Sequence, residues 1–410
     1  MSEYLAAAAH IAERLVAEAI RDDGKCTWFG ASMEEIGGHW RPSRRTFGGD
    51  PYAGSSGVAL FLAQFHRFAP SDEVKQTALA ALRHALDRAG NDAALDRGAL
   101  YTGAFGIGFA AAEAGGELGE EAIAACGLAL VRDALQRNDE TAFDVVSGSA
   151  GRIGALVRLH HRFADEWLIG EAVKDAQRLL ATAHRQPHGW SWGFGGTQYL
   201  AHDLTGYSHG TAGVALAMLE LNAVAPDPAF VQAADEAMRY ERAWFSPQQQ
   251  NWPDFRRMPG QTAADPFAYG YAWCHGAPGI GMSRLRAWRL LKRPDILQEA
   301  QTALRSSRAS QLATATDYSF GICHGAAGNA ELFLQAWEIL GDESALADAE
   351  TIARAGIERH IAGKTPWPCG LEDAGEAPGL MLGLAGIGYY YLRMHGKAEV
   401  PSLLTIGNVP

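Results

Sequence analysis

A Gly-x-x-Gly tetrapeptide recurs seven times along the chain. The copies are Gly54-Ser-Ser-Gly57, Gly103-Ala-Phe-Gly106, Gly148-Ser-Ala-Gly151, Gly210-Thr-Ala-Gly213, Gly276-Ala-Pro-Gly279, Gly325-Ala-Ala-Gly328 and Gly383-Leu-Ala-Gly386. Their first glycines stand 49, 45, 62, 66, 49 and 58 residues apart. Self-similarity on this scale means one supersecondary unit used repeatedly. Each copy opens a helical pattern: Val58, Phe61, Leu62 and Phe65 follow Gly57 at i, i+3, i+4, i+7 spacing, and Ile387, Tyr390, Tyr391 and Met394 follow Gly386 in the same way. These segments carry few charges, which predicts helices buried on several sides.

More charged helical stretches lie between the copies: 71–89, 119–136, 165–184, 227–244 and 343–360. Ser71 followed by Asp72 and Glu73 reads as a helix start, and Val74, Ala78, Ala81 and Ala85 form one apolar stripe. No alternating strand of useful length is evident. Seven pairs of a polar outer and an apolar inner helix predict an all-α fold, an (α/α) toroid of seven helix-hairpin repeats forming a single domain over 1–410, with a straight solenoid as the alternative. In a toroid the Gly-x-x-Gly turns ring one mouth, at the N-termini of the inner helices. The longer intervals hold loops at 184–206 and 246–269, rich in Trp, Gly, Pro and polar residues, that read as lips of a cleft on that rim. The tail 400–410 reads as a loosely held end.

With 410 residues and 48% hydrophobic content the chain can bury a large core. A formal charge of -12 argues against nucleic acid as the main partner. No apolar run reaches membrane-spanning length, and the N-terminus lacks the basic and apolar regions of a secretory signal. Five scattered cysteines, Cys26, Cys126, Cys274, Cys323 and Cys369, suit a reducing cytoplasm better than a disulfide framework.

Three of the turns carry chemistry. Cys274-His275 and Cys323-His324 directly precede Gly276 and Gly325, and Ser208-His209 precedes Gly210. Neighbouring rim positions in a toroid lie about 10 Å apart, so side chains from two such turns can share one ion. Sulfur with imidazole is the donor set that zinc prefers. A catalytic zinc with three protein ligands, a closed Cys2His2 site using both His275 and His324, and buried thiols without a metal all fit the spacing. A large apolar core has little need of a structural ion, which weighs against the second. His209 shares the rim offset of His324 and is the best candidate general acid. Asp144 lies four residues before Gly148, where an Asp commonly caps a loop or a helix start.

The segments Trp273-Cys-His-Gly-Ala-Pro-Gly279, Cys323-His-Gly325, Ser208-His-Gly210 and Gly379-Leu-Met-Leu-Gly-Leu-Ala-Gly-Ile-Gly388 resemble the lanthionine synthetase C-like cyclases. That family includes stand-alone cyclases and the cyclase half of bifunctional lanthipeptide synthetases. The resemblance implies an α/α barrel with a Zn2+ ion at one mouth, held by Cys274, Cys323 and His324. It implies addition of a peptide Cys thiol to dehydroalanine or dehydrobutyrine, forming a thioether ring, with His209 and Asp144 serving proton transfer. The expected partners are a dehydrated precursor peptide and a dehydratase that prepares it.

Some stand-alone members carry Arg a turn before the first Cys; here that position is Gly270, which leans the match toward the bifunctional synthetases' cyclase half. Arg152 and Arg284 follow their turns and read as packing residues. The same chemistry could serve a free thiol such as glutathione. A zinc prenyltransferase and a non-catalytic peptide-binding scaffold are the readings from other classes.

Overall fold

The computed structural model describes residues 2–36, 39–92, 94–137, 142–193, 202–257, 262, 264–314, 318–370 and 375–406, leaving aside the side chains at 32–36, 39–42 and 311–314. Inner helices α2 (Ser55–Phe68), α4 (Ala104–Glu117), α6 (Ser149–Phe163), α8 (Thr211–Val224), α10 (Ala277–Leu291), α12 (Ala326–Leu340) and α14 (Leu384–Gly396) each begin immediately after the first glycine of a tetrapeptide. Outer helices α3 (Asp72–Asn91), α5 (Glu121–Gln136), α7 (Glu166–Thr182), α9 (Pro228–Trp244), α11 (Pro294–Thr314) and α13 (Glu343–Gly356) follow them in turn. The chain divides into two compact units, residues 1–139, 314–334 and 347–401, and residues 140–313, 335–346 and 402–410.

Inner and outer helices start by different chemistry. Ser71, Asp165 and Asp227 accept hydrogen bonds from the first-turn amides of α3, α7 and α9 through their side chains. The inner helices have no side-chain cap from their first glycines. Instead the preceding turn folds back and offers its own carbonyls: Ser55, Ser149, Thr211, Ala326 and Leu384 donate their N–H groups to Gly48, Ala142, Leu204, Ser319 and Ala377 at 2.7–3.2 Å. The second glycine is required by this fold-back. A Cβ on Gly57, Gly106, Gly213, Gly279, Gly328 or Gly386 would come within 1.7–2.3 Å of the carbonyl oxygen six residues earlier.

Successive turns then dock on one another by single main-chain hydrogen bonds. In the first unit Cys323 N–H donates to Met381 (2.9 Å), Met381 to Tyr52 (2.9 Å) and Tyr52 to Tyr101 (2.8 Å). In the second, Val145 N–H donates to Ser208 (3.0 Å) and Ser208 to Cys274 (3.2 Å). Apart from Val145, three residues before Gly148, each docking residue stands two before a capping glycine, and both cysteines of the Cys-His-Gly motifs occupy that position.

Beneath the turns, α14, α2 and α4 pack side by side in the first unit, and α6, α8 and α10 in the second. The first eleven residues of α2, α8 and α14 are all buried. The predicted stripe of α3 (Val74, Ala78, Ala81, Ala85) is buried too. Charges inside the core are paired: Arg393 with Glu331 at 2.8 Å, and Arg152 with Asp175 at 2.8 Å. Breaking such a pair costs about 3–5 kcal/mol, because the remaining charge stays buried.

Three features depart from the sequence reading. The outer partner of α14 is α1 (Glu3–Ala17), from the other end of the chain, capped by Ser2. Strands are present: β1 (Ile20–Asp22) pairs with β2 (Lys25–Thr27), and β3 (Phe29–Ile36) with β4 (His39–Thr46), while β5 (His184–Gln186) pairs with β6 (Gly189–Ser191). These are antiparallel two-stranded ribbons held by main-chain pairing, so the longest of them needs no alternating pattern. Finally, Ser402–Ile406 are all buried rather than loose. The Ser402 carbonyl accepts from Arg158 Nη1 (3.2 Å), the Leu404 carbonyl from Trp273 Nε1 (2.9 Å), and Thr405 Oγ1 from Gln335 Nε2 (3.1 Å).

Candidate active site

In the second unit the turn before α8 carries His209. Its Ser208 is fully buried and held twice on the Cys274 carbonyl, by its N–H at 3.2 Å and its Oγ at 3.3 Å. The Ser208 carbonyl in turn accepts from Val145, next to Asp144. This docking brings His209 Nδ1 to 2.5 Å from Asp144 Oδ2. The Asp144 side chain is 1% exposed and that of His209 is 32% exposed. Asp144 Oδ1 accepts from Ser147 N–H at 2.7 Å. Asp144 thus makes one contact with each oxygen: one caps the turn, the other holds the imidazole. A carboxylate oxygen accepts, so the contact selects the tautomer with the proton on Nδ1.

The turn before α10 lies directly beside this one. Cys274 is partly exposed, whereas His275 is buried and neither of its ring nitrogens has a partner among the described residues. The His275 ring stacks on His209 with centroids 5.9 Å apart. Burial, helped by the Arg256 charge and opposed by Asp254, pushes the His275 imidazole down to about 3, so it is neutral at working pH. Arg256 is engaged with Asp254, its Nη2 donating to Oδ2 at 2.6 Å. Trp273, adjacent to Cys274, packs on Tyr207 and is pinned by the Leu404 carbonyl.

In the fifth turn the Ala272 N–H donates to the His275 carbonyl (3.0 Å), but the first amide of α10 is taken by Asn251 and not by a main-chain carbonyl. Asn251 Oδ1 accepts from Ala277 and Trp252 N–H (both 2.8 Å), and its Nδ2 donates to the Gly270 carbonyl (2.9 Å). Gly276 adopts φ +84°, a left-handed conformation that favours glycine. Sequence reasoning missed Asn251. Its only signal was the length of the loop before Tyr271, which read as a cleft lip. That loop also buries Trp252 in a cluster with Ala212, Ala277, Ile280 and Ala303.

The first unit carries the other motif. Cys323 is buried, and Tyr52 Oη donates to its sulfur at 3.3 Å. His324 is half-buried, with its ring 6.3 Å from that of Tyr318. Gly370, at φ +76°, leaves room for this imidazole: a Cβ there would stand 2.5 Å from His324 Nε2. Cys369 is buried, its thiol donating to the Gly375 carbonyl at 3.0 Å, and Cys26 is likewise buried while Cys126 is exposed.

Of the five site residues expected from sequence, Asp144 and His209 are in direct contact and Cys274 sits on the adjoining turn. Cys323 and His324 share a turn in the first unit. Among the described residues no group of three or more His, Cys, Asp or Glu side chains is arranged to hold a metal ion. The donor set itself, two thiols with an imidazole, is of the zinc type. Arg152 and Arg284 face the packing, as expected: Arg152 pairs with Asp175, and Arg284 with Glu241 and Glu299. Among the described residues no helix is long and apolar enough to cross a membrane.

Among solved structures the chain resembles a protein described as nisin cyclase, with a TM-score of 0.66 and 16% identity over 86% of this chain and 90% of that one. It also resembles an α-1,6-mannanase of glycoside hydrolase family 76 from Salegentibacter sp. (TM-score 0.52, 11% identity, 98% and 100% covered). A family 76 mannosidase from Bacteroides thetaiotaomicron is similar at TM-score 0.52 and 10% identity, covering 96% and 98%. At such identities these likenesses show the fold alone, and the fold class is the all-α toroid expected from the repeats. No curated protein matches the sequence significantly. The family model described as lanthionine synthetase C-like protein matches residues 47–405. With nearly its whole length matched, from just before the first tetrapeptide to the buried tail, this chain belongs to the lanthionine synthetase C-like family.

Proposed function

We propose that the protein is a zinc-dependent cyclase that joins peptide Cys thiols to dehydroalanine or dehydrobutyrine, forming thioether rings. The observation that carries this reading is the His209–Asp144 pair, docked through Ser208 onto the Cys274 turn. It places a proton carrier of fixed tautomer beside a thiol that the family motif assigns to zinc.

A free thiol titrates near 8.5, so little thiolate exists at neutral pH. Zinc held by Cys274, Cys323 and His324 would supply a bound substrate thiol in its deprotonated form. The sulfur attacks the β-carbon of the dehydro residue, one C–S bond forms as the C=C bond is lost, and the α-carbon becomes an enolate that requires one proton. The proton given up by the thiol charges His209 at Nε2, and His209 Nε2 returns one to the α-carbon, while Asp144 holds the ring and stabilises the intervening imidazolium. Product and substrate are isomers. The substrate is a dehydrated precursor peptide, prepared by a separate dehydratase in the cytoplasm.

Incubating the zinc-loaded protein with a dehydrated peptide bearing one free Cys tests the proposal. Ring closure keeps the mass while the thiol becomes resistant to alkylation. Added glutathione appearing on the peptide as an adduct would redirect the reading to an intermolecular addition. A thiol that stays alkylatable, with no adduct, overturns the reading.

A further inference from the structure

Behind the His209 turn lies a buried carboxylate that the reaction itself does not use. Glu241, on α9, is fully buried, and its Oε1 accepts the N–H of Gly206 at 3.0 Å. Its Oε2 accepts from Arg284 Nη2 on α10 at 2.6 Å, and Arg284 Nε donates to Glu299 on α11, also at 2.6 Å. The Glu241 carbonyl takes the indole N–H of Trp252 at 3.1 Å.

Gly206 is where two site-bearing turns meet. Its φ is +97°, and a Cβ there would stand 3.1 Å from the Cys274 carbonyl oxygen and 3.3 Å from His275 Cα. Its own carbonyl accepts from Ala212 N–H (3.2 Å), within the first turn of α8. One carboxylate oxygen thus fixes the peptide plane that sets both the path into Ser208-His209 and its distance from Cys274. Arg284 Nη1 has no partner among the described residues, so the pair is not arranged for maximal ionic satisfaction.

We propose that Glu241 is a positioning residue: through Gly206 N–H it locks the His209 turn against the Cys274 turn, and Arg284 holds its carboxylate in that orientation. The inference rests on the cyclase reading for its catalytic consequence but not for its geometry.

Two double variants separate this role from a merely structural ion pair. E241Q/R284M removes both charges and keeps an amide oxygen for Gly206; E241L/R284M removes the acceptor as well. Glu299 retains Arg242 as its partner in both. Replacing a buried ion pair with uncharged side chains is tolerated by folds, so both variants are expected to fold. E241Q/R284M should lose no more than about threefold in kcat, whereas E241L/R284M should lose about tenfold to a hundredfold with KM within about twofold, since small misplacement of a reacting group acts on turnover.

In nitrogen–proton NMR the His209 Nδ1–H signal should keep its Asp144-bonded position in the first variant and move in the second. Equal His209 signals in both variants, or equal damage to kcat in both, would overturn the proposal. In the unaltered protein the Gly206 amide should exchange slowly and resonate downfield, and fast exchange there would overturn it without any variant. If the unaltered protein forms no thioether, the cyclase reading is lost, and the His209 and Gly206 signals still decide whether Glu241 positions the turn.

Discussion

The two Cys-His-Gly-Ala turns share four residues in sequence and are built differently. The turn before α12 closes on itself: Ala326 N–H reaches Ser319 at 3.0 Å, its cysteine is buried against Tyr52, and His324 is half-buried. In the turn before α10 the first amide of the helix goes to Asn251 instead, with Gly276 at φ +84°. Here the cysteine is the more open residue, and the histidine is buried with neither ring nitrogen hydrogen-bonded among the described residues. The same tetrapeptide thus presents its imidazole in one turn and hides it in the other. The proposed zinc site takes His324, and not His275, as a ligand for this reason: a ligand nitrogen must be reachable, and the buried neutral ring at the same offset is not. What distinguishes the turns is a partner more than twenty residues upstream, outside the motif.

The largest effects should fall on the residues that the two turns expose to chemistry. Purified protein should carry about one zinc per chain, and Cys323→Ala should lose it while keeping helix content, because the apolar core does not depend on the ion. Zinc retained at full stoichiometry in that variant would break the proposed ligand set. His209→Asn should keep the zinc and lose roughly a hundredfold or more in turnover, the usual scale for a lost general acid. Undiminished rates would remove the proton-transfer role and leave Asp144–His209 as a structural pair.

Asn251 tests the difference in construction directly. Asn251→Ala strands the amides of Ala277 and Trp252 and the carbonyl of Gly270 in a buried site. Each unsatisfied buried group costs about 1–3 kcal/mol and partial relaxation recovers some of that, so a loss of about 2–4 kcal/mol is expected in denaturant unfolding. Zinc affinity should fall as well, through Cys274. A change below about 0.5 kcal/mol would mean that the first amide of α10 finds a main-chain carbonyl, as that of α12 does. Trp273→Phe removes the indole donor to Leu404 and shrinks a fully buried ring, and should cost about 2–3 kcal/mol.

Much of this was legible in the glycines. A tetrapeptide that recurs before apolar helical patterns marks inner helices, since the second glycine answers a clash that six of the seven turns share. The His209–Asp144 contact joins residues 65 apart: His209 was legible from its offset before the glycine, whereas Asp144 entered only through the family resemblance. What stayed hidden depends on partners remote in sequence. α1 has no tetrapeptide, and its place beside α14 follows from meeting the far end of the chain. The tail looked loose because it is short, terminal and without a helical pattern, and main-chain carbonyls that serve Arg158 and Trp273 leave no mark on a sequence. Glu241 and Asn251 escaped notice because a carboxylate or amide that braces a turn leaves no periodic trace.

The smallest expected effect is the sharpest on His275. A buried imidazole whose two nitrogens have no hydrogen-bond partner among the described residues contributes packing, and it already stays uncharged. His275→Phe keeps an aromatic ring against His209 and removes the unsatisfied atoms, although the larger ring must find space. These opposing terms should leave stability within about 1 kcal/mol, in either direction, with zinc retained and turnover within about threefold. His324→Phe should instead abolish zinc binding. The contrast between two histidines at the same offset is then a contrast in burial alone. A hundredfold loss of turnover in His275→Phe, with zinc intact, would show that the hidden ring exchanges protons with His209, and the division of labour between the two turns would have to be redrawn.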